Sequence, residues 1–405
     1  MSYIVSYEDQ HHHRRDDGEW VPDQTRKSIT RYCVFWEQGK LWWEVFCYLA
    51  ESRCKSETIR SRANDLNHYA NWLEKTGLHW LHFPLKKSDR CLYRYRAHLI
   101  DNANGTSSVP SRRIRAVVNF YQYARTKGLI DRQLEMWEDR QLAVSFFDSS
   151  GFERTAGVWS TDLRITQRKA NISTVEGGLL PLSAEDRDLL LKYLRDNTSE
   201  LNTVLHAMLT LGFFTGARIG SIRTLRIENL RCATHDPHDP NVMLVAAGPG
   251  TGIETKFGVA GYLRFLKPVH KFILDYSETN ITRLDRQLKA TKESQSLVFL
   301  TKGGRPYSPG AINVAMKMLR DALVRDGLTQ FHEFKFHQSR ATCGTELARI
   351  YMALSDDANA IVHVRDWLMH KDEKTTWTYI NFLKNTKAAA SANEAFTEQF
   401  LGPNL

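Results

Sequence analysis

The chain has 405 residues, 42% hydrophobic and 25% charged, with 55 Lys and Arg against 46 Asp and Glu, a formal net charge of +9 and a pI near 9.2. At roughly 100–200 residues per domain this length predicts two or three domains. The apolar fraction excludes global disorder, and no apolar run approaches the about 18–20 residues of a helical bilayer span. Met1 to Asp9 contain no basic stretch followed by an apolar one, which predicts no secretory leader. Six cysteines, at 33, 47, 54, 91, 232 and 343, include no CxxC pair. That scatter predicts reduced, mostly buried thiols in a reducing cytoplasm, with neither a disulfide frame nor a zinc site.

Residues 1–30 are polar and charged, with His11-His12-His13 followed by Arg14-Arg15-Asp16-Asp17, and read as the mobile part of an N-terminal arm over residues 1–40. Arg31–Trp43, rich in Tyr, Val, Phe and Trp, reads either as a small hairpin or as the start of a helix. Residues 41–130 carry helical periodicity in four segments: Leu41–Ser52, Glu57–Thr76 closed by Gly77, Cys91–Asn102, and Val109–Lys127 closed by Gly128. Between residues 53 and 127 there are 15 Lys and Arg against 5 Asp and Glu, a surplus as large as that of the whole chain. A compact helical unit so charged attracts a polyanion. Arg60, Arg62, Arg112, Arg113 and Arg115 are the candidate DNA contacts.

Residues 131–180, with Asp148-Ser149-Ser150-Gly151 and Gly177-Gly178, read as a linker. Ser183 and Asp186 resemble a capping box that opens the next domain, residues 181–386. Helices are predicted over Asp186–Arg195, Leu201–Phe214, Pro309–Asp326, Arg340–Tyr351 and Ile361–His370. A β-hairpin is predicted from Val242–Ala247 and Gly261–Leu266. Residues 387–405 read as an Ala-rich C-terminal helix and tail, with Ala392, Ala395, Phe396, Phe400 and Leu401 as an apolar stripe. The stripe packs either on its own domain or on a neighbouring protomer.

Familiar nucleotide and metal signatures are missing. Gly248-Pro249-Gly250-Thr251-Gly252 lacks the Lys-Ser/Thr of a phosphate-binding loop, His235 and His238 lack the spacing of a helical metal pair, and no HExxH occurs. No cofactor and no metal are expected. Four short fragments stand out instead: Thr215-Gly216-Ala217-Arg218-Ile219, His337-Gln338-Ser339-Arg340, Leu368-Met369-His370, and Tyr379 nine residues later. Each is weak alone. In this order, downstream of a basic helical unit, they resemble the tyrosine recombinase, or phage integrase, family.

The resemblance implies a mainly α fold with a small β-sheet. A helical core-binding domain and a mixed α/β catalytic domain would form a C-shaped clamp around DNA. It implies a metal- and ATP-independent strand transferase in which Arg218 and Arg340 clamp the scissile phosphate and His337 moves a proton. His370 hydrogen-bonds the phosphate, and Tyr379 forms a 3′-phosphotyrosyl link. Two guanidiniums suit this task because they keep their charge and offer paired donors to the oxygens of a pentacoordinate phosphorus. A lysine at a hairpin tip protonates the leaving 5′-oxygen in the family. Lys256 is the only lysine between Arg218 and Lys267. The implied partners are double-stranded recombination sites and three further copies in a homotetramer coupled by the C-terminal helix. The implied setting is a bacterial or phage nucleoid, with no membrane. A mobile-element integrase fits these expectations. A type IB topoisomerase or telomere resolvase would share the chemistry, and a non-catalytic DNA-binding regulator would share the fold. Three departures stand: Ser221 where the family has an acid, Ala341 where a second His is common, and Met369 in place of glycine.

Overall fold

Polar composition hides four short strands at the start of the chain: β1 (Tyr3–Asp9), β2 (His12–Arg14), β3 (Trp20–Pro22) and β4 (Ile29–Phe35). The computed structural model describes residues 1–23, 28–103, 108–147, 153–166 and 174–401. Two compact units result, residues 1–170 and 171–405.

In the first unit β1 pairs antiparallel with β4, Tyr3 opposite Phe35, and β2 pairs with β3. Four helices follow: α1 (Trp43–Ala50), α2 (Ser56–Thr76), α3 (Cys91–Asp101) and α4 (Ser108–Thr126). They lie where the hydrophobic periodicity puts them. Gly77 ends α2 at φ 65, the left-handed cap that glycine adopts without steric cost. Val34, Trp42, Leu66, Tyr69, Phe120 and Tyr121 form one core, with Trp42 in ring contact with Trp36, Tyr69, Trp80 and Phe120.

Two expectations for this half change. The β1–β4 part of the N-terminal arm packs onto the helices, whereas β2 and β3 lie largely exposed. Cys33 and Val34 are buried, and the Ser2 amide donates to the Glu74 carboxylate on α2 at 2.7 Å. The linker region holds a hairpin, β5 (Asp139–Phe147) and β6 (Glu153–Thr161), in the first unit; its Asp148–Gly151 turn lies outside the described residues. Asp162 secures the hairpin base by accepting from the Tyr93 hydroxyl at 2.6 Å and pairing with Lys87 at 2.6 Å.

The second unit begins with a single 3-10 turn, Glu176–Gly178. It continues through α5 (Ala184–Asp196), α6 (Glu200–Thr215), α7 (Ile219–Thr224) and α8 (Ile227–Arg231). A three-stranded antiparallel sheet follows, β7 (Thr234–His235), β8 (Val242–Ala247) and β9 (Gly261–Leu266). Then come α9 (Lys267–Thr279), α10 (Ile281–Leu288), α11 (Pro309–Arg325), α12 (His337–Leu354), α13 (Asp357–Leu368) and α14 (Glu373–Leu401). Ser183 caps α5 as expected, accepting from the Asp186 amide at 3.0 Å. Buried α6 forms the spine of one core. A second core joins α12, α13 and the start of α14 through Val364, Leu368, Tyr379 and Ile380.

The C-terminal helix is not a separate element starting at residue 387. Neither Gly nor Pro interrupts Glu373–Leu401, so α14 runs unbroken from the segment that carries Tyr379. All six cysteines are free. No helix among the described residues is long and apolar enough to cross a membrane.

Candidate active site

The four sequence fragments become four structural corners of one site. The first is the turn between α6 and α7. Gly216 takes φ 64, and Thr215 braces the turn by accepting from the Ala217 amide at 3.1 Å. Arg218 then stands at the N-terminal boundary of α7 with its guanidinium turned inward. Gly216 is required twice over. Its φ favours glycine, and a β-carbon there would overlap the Leu368 side chain.

The second corner is the start of α12, with His337 at its first position and Arg340 one turn on. Arg340 is 3% exposed and donates to the Gly216 and Leu368 carbonyls at 2.5 and 2.9 Å. The third corner is the end of α13. Met369 closes it at φ 51, which explains the glycine usual there and marks the strain that methionine bears instead. His370 follows, fully buried, with Nδ1 2.9 Å from the Thr376 hydroxyl. The fourth corner is α14, where Tyr379 is completely buried and its ring stacks on His370 at 5.9 Å between centroids.

All four corners converge on a carboxylate that the sequence reading placed in the linker, Glu176. Its Oε1 accepts from Arg218 at 3.1 Å and lies 3.8 Å from His337 Nε2. Its Oε2 accepts from Arg340 Nε at 3.0 Å and the Tyr379 hydroxyl at 3.1 Å, and lies 3.3 Å from His370 Nε2. Burial alone would raise the Glu176 carboxyl's pKa. The surrounding His337, His370, Arg340 and Arg218 outweigh burial and hold it well below the usual carboxylate range.

The neighbours shift in turn. Burial pulls Arg218 downward, helped by Arg340 and opposed by Glu176. It lowers His370 to about 4, so the ring is neutral at neutral pH. A neutral His370 that donates from Nε2 to Glu176 accepts from Thr376 at Nδ1. Burial also raises Tyr379 far above a free phenol; Arg340 opposes this and Glu176 adds to it. In this arrangement the phenol keeps its proton.

Lys256 lies apart from that cage but close to it. It opens the 3-10 turn Lys256–Gly258 between β8 and β9, is exposed, and lines one small cavity with Arg218 and Arg340. Ser221 does not replace the family's acid. Its hydroxyl donates to the Glu254 carbonyl at 2.7 Å, tying α7 to the hairpin loop. Ala341 is buried core.

In the first unit the five candidate DNA arginines differ. Arg62 donates to Ser52 at 2.8 Å; Arg112 engages Ser61 and the buried Asp65 at 2.9 and 3.0 Å; Arg113 meets His68 at 2.9 Å. Arg60 and Arg115 are exposed, and no hydrogen bond or ion pair among the described residues engages them. No group of three or more His, Cys, Asp or Glu among the described residues could hold a metal ion, His11–His13 included.

The profile of the phage integrase family matches residues 182–386. The chain belongs to that family, and it is a tyrosine site-specific recombinase. Its fold is also that of the Tn1549 transposon integrase. In complex with circular intermediate DNA, that protein aligns over 83% of this chain and 93% of its own at 13% identity, with a TM-score of 0.52. A second such complex aligns over 86% and 98% at 0.54, and the complex with transposon right end DNA over 86% and 98% at 0.51, both at 13% identity. No curated protein matches the sequence.

A β-carbon on Gly344 would lie 2.5 Å from Tyr379 Cε1, 2.7 Å from its Cζ and 2.9 Å from Leu368. Gly344→Ala will therefore push the tyrosine ring and cost about 1–3 kcal/mol, visible as a lowered melting temperature. His370 has a depressed folded value, so its contribution to stability is present above the unfolded value of about 6.5 and is lost as pH falls towards 4. Glu176, also depressed, acts with the same sign at lower pH. Denaturant midpoints measured from pH 7 to pH 4 will fall, and His370→Gln will flatten the upper part of that slope.

Proposed function

We propose that this recombinase is the integrase of a mobile genetic element, cutting and rejoining duplex DNA at Tyr379. The observation that carries the reading is convergence: five side chains from four separate segments surround one anion, and a phenol oxygen lies 3.1 Å from it. A site that holds one carboxylate so closely will hold one phosphodiester. The names of the structural neighbours, a transposon integrase on its DNA, support the mobile-element assignment.

In the proposed reaction Arg218 and Arg340 bind the non-bridging oxygens and stabilise the charge that grows on them. The Tyr379 oxygen attacks phosphorus, its proton passing to His337, and the bond to the 5′-oxygen breaks. Lys256 protonates that oxygen. His370, neutral and held by Thr376, donates to the phosphate. A 5′-hydroxyl from a second strand then attacks the phosphotyrosine and returns the phenol. Each step exchanges one phosphodiester for another, so the bond energy is conserved.

Arg60 and Arg115, exposed on α2 and α4 of the basic unit, are the arginines best placed to meet DNA phosphates. Partner copies complete the assembly. Residues 384–393 of α14 are exposed all around the helix, which supports docking of this segment on a neighbouring protomer in a tetramer. The stripe positions Ala395, Phe396, Phe400 and Leu401 lie outside the side chains described. The nucleoid is the proposed setting.

The test is a nicked suicide duplex carrying DNA that flanks the gene, incubated in EDTA. Wild-type protein will form a covalent adduct resistant to denaturant, and Tyr379→Phe will form none while still shifting the duplex in a gel. An adduct that survives Tyr379→Phe overturns the assignment.

A further inference from the structure

The proposed reaction leaves one group in the catalytic centre unused, and that group sits at its middle. Glu176 does not brace the arginines from behind, as the acid missing at Ser221 would. It lies among both guanidiniums, both imidazoles and the phenol. Its two oxygens divide these donors as two non-bridging phosphate oxygens would, Oε1 on Arg218 and Oε2 on Arg340, His370 and Tyr379. The phenol donates to Oε2 at 3.1 Å, so the atom that must attack phosphorus is occupied as a hydrogen-bond donor.

A phosphate entering this seat brings negative charge to the same donors, and two anions cannot share them. The carboxylate must therefore leave before the phosphate binds. Its position suits that movement. Glu176 belongs to a three-residue turn closed by two main-chain bonds, Val175 amide to Leu179 carbonyl at 2.9 Å and Gly178 amide to Val175 carbonyl at 3.0 Å. The next two residues, Gly177 and Gly178, hold φ 77 and 74, conformations from which glycine departs freely. Val175 and Leu179 pin the two ends of the turn against the core that holds Tyr379, so its freedom lies in the two glycines between them.

We propose that Glu176 is an internal stand-in for the scissile phosphate. It fills the anion seat of the DNA-free protein and raises the threshold for cleavage, so that only DNA gaining binding energy elsewhere on the protein displaces it. Glu176 is thereby a specificity-determining residue, coupling recognition of the site to exposure of the nucleophile. This rests on the recombinase reading of the same centre.

The experiment compares wild type with Glu176→Gln, which keeps shape and removes charge. Adduct formation is timed on two nicked suicide duplexes, one carrying the full flanking site and one cut to a few base pairs around the nick. The melting temperature of each protein is followed as inorganic phosphate is added. Glu176→Gln will form adduct on the short duplex at least about tenfold faster than wild type, equivalent to ~1.4 kcal/mol. The gain on the full site will be smaller, and phosphate will stabilise the variant but not the wild type. Slower cleavage by Glu176→Gln on both duplexes, or equal phosphate stabilisation of the two proteins, overturns the proposal. A wild-type adduct that forms normally while either shift is missing defeats the stand-in alone; no adduct from either protein defeats the recombinase reading with it. If Glu176→Gln melts too low to assay, Glu176→Asp, whose shorter carboxylate withdraws from the seat, is read by the same criteria.

Discussion

Two guanidinium groups buried side by side must be neutralised by an anion, and the second unit is organised around that requirement. Arg340 has only 3% exposure and Arg218 18%. Removing one partner from a buried ion pair costs about 3–5 kcal/mol, because the remaining charge is left without water or counter-charge. Carbonyls from Gly216 and Leu368 satisfy two of the Arg340 donors, and Glu176 supplies the charge. The positive φ at Gly216, the left-handed Met369 and the packing of α13 against α12 all bring polar groups to bear on this pair.

The same constraint orders Tyr379, the proposed nucleophile. Tyr379 is placed by α14, packed beside Gly344 and stacked on His370, so its hydroxyl has one direction in which to point. That direction is the anion. Whichever anion occupies the seat determines what the phenol does: a carboxylate receives its proton as a hydrogen bond, whereas a phosphorus centre would receive its oxygen. Burial and Glu176 hold the phenol protonated in the first case. On the proposed reading, the site is quiet or reactive according to which negative charge it holds.

Much of this was legible in the sequence, for physical reasons. The helices α2, α3 and α4 carry strong apolar periodicity, α2 and α4 with a glycine just past the end, and the Ser183 cap has a local hydrogen-bond signature. Arg218, His337, Arg340, His370 and Tyr379 stood in motifs whose spacing reflects helix starts and ends, and the fold brings them together. Lys256 followed from the family's hairpin lysine together with the legible β8–β9 hairpin, and it lines one cavity with Arg218 and Arg340. Four things were hidden. The β1–β4 pair is masked by polar surface residues, since only its inner face packs. Asp148-Ser149-Ser150-Gly151 resembles a linker and a hairpin turn equally. Helices α9 and α10 lie in a stretch for which no element was predicted. Glu176 had no signal at all: it lies 42 residues before Arg218, outside every motif, and only its position before Gly177-Gly178 marks it.

On the proposed reading, one seat between Arg218 and Arg340 is filled by Glu176 without DNA and by the scissile phosphate with it. The most direct measurement is a structure of the Tyr379→Phe protein bound to a nicked duplex carrying its site. Phosphate oxygens will lie within hydrogen-bond distance of Arg218 and Arg340, with the Glu176 carboxylate displaced from both. A bound duplex with Glu176 still bridging the two arginines, and the phosphate held elsewhere, would overturn this exchange of anions.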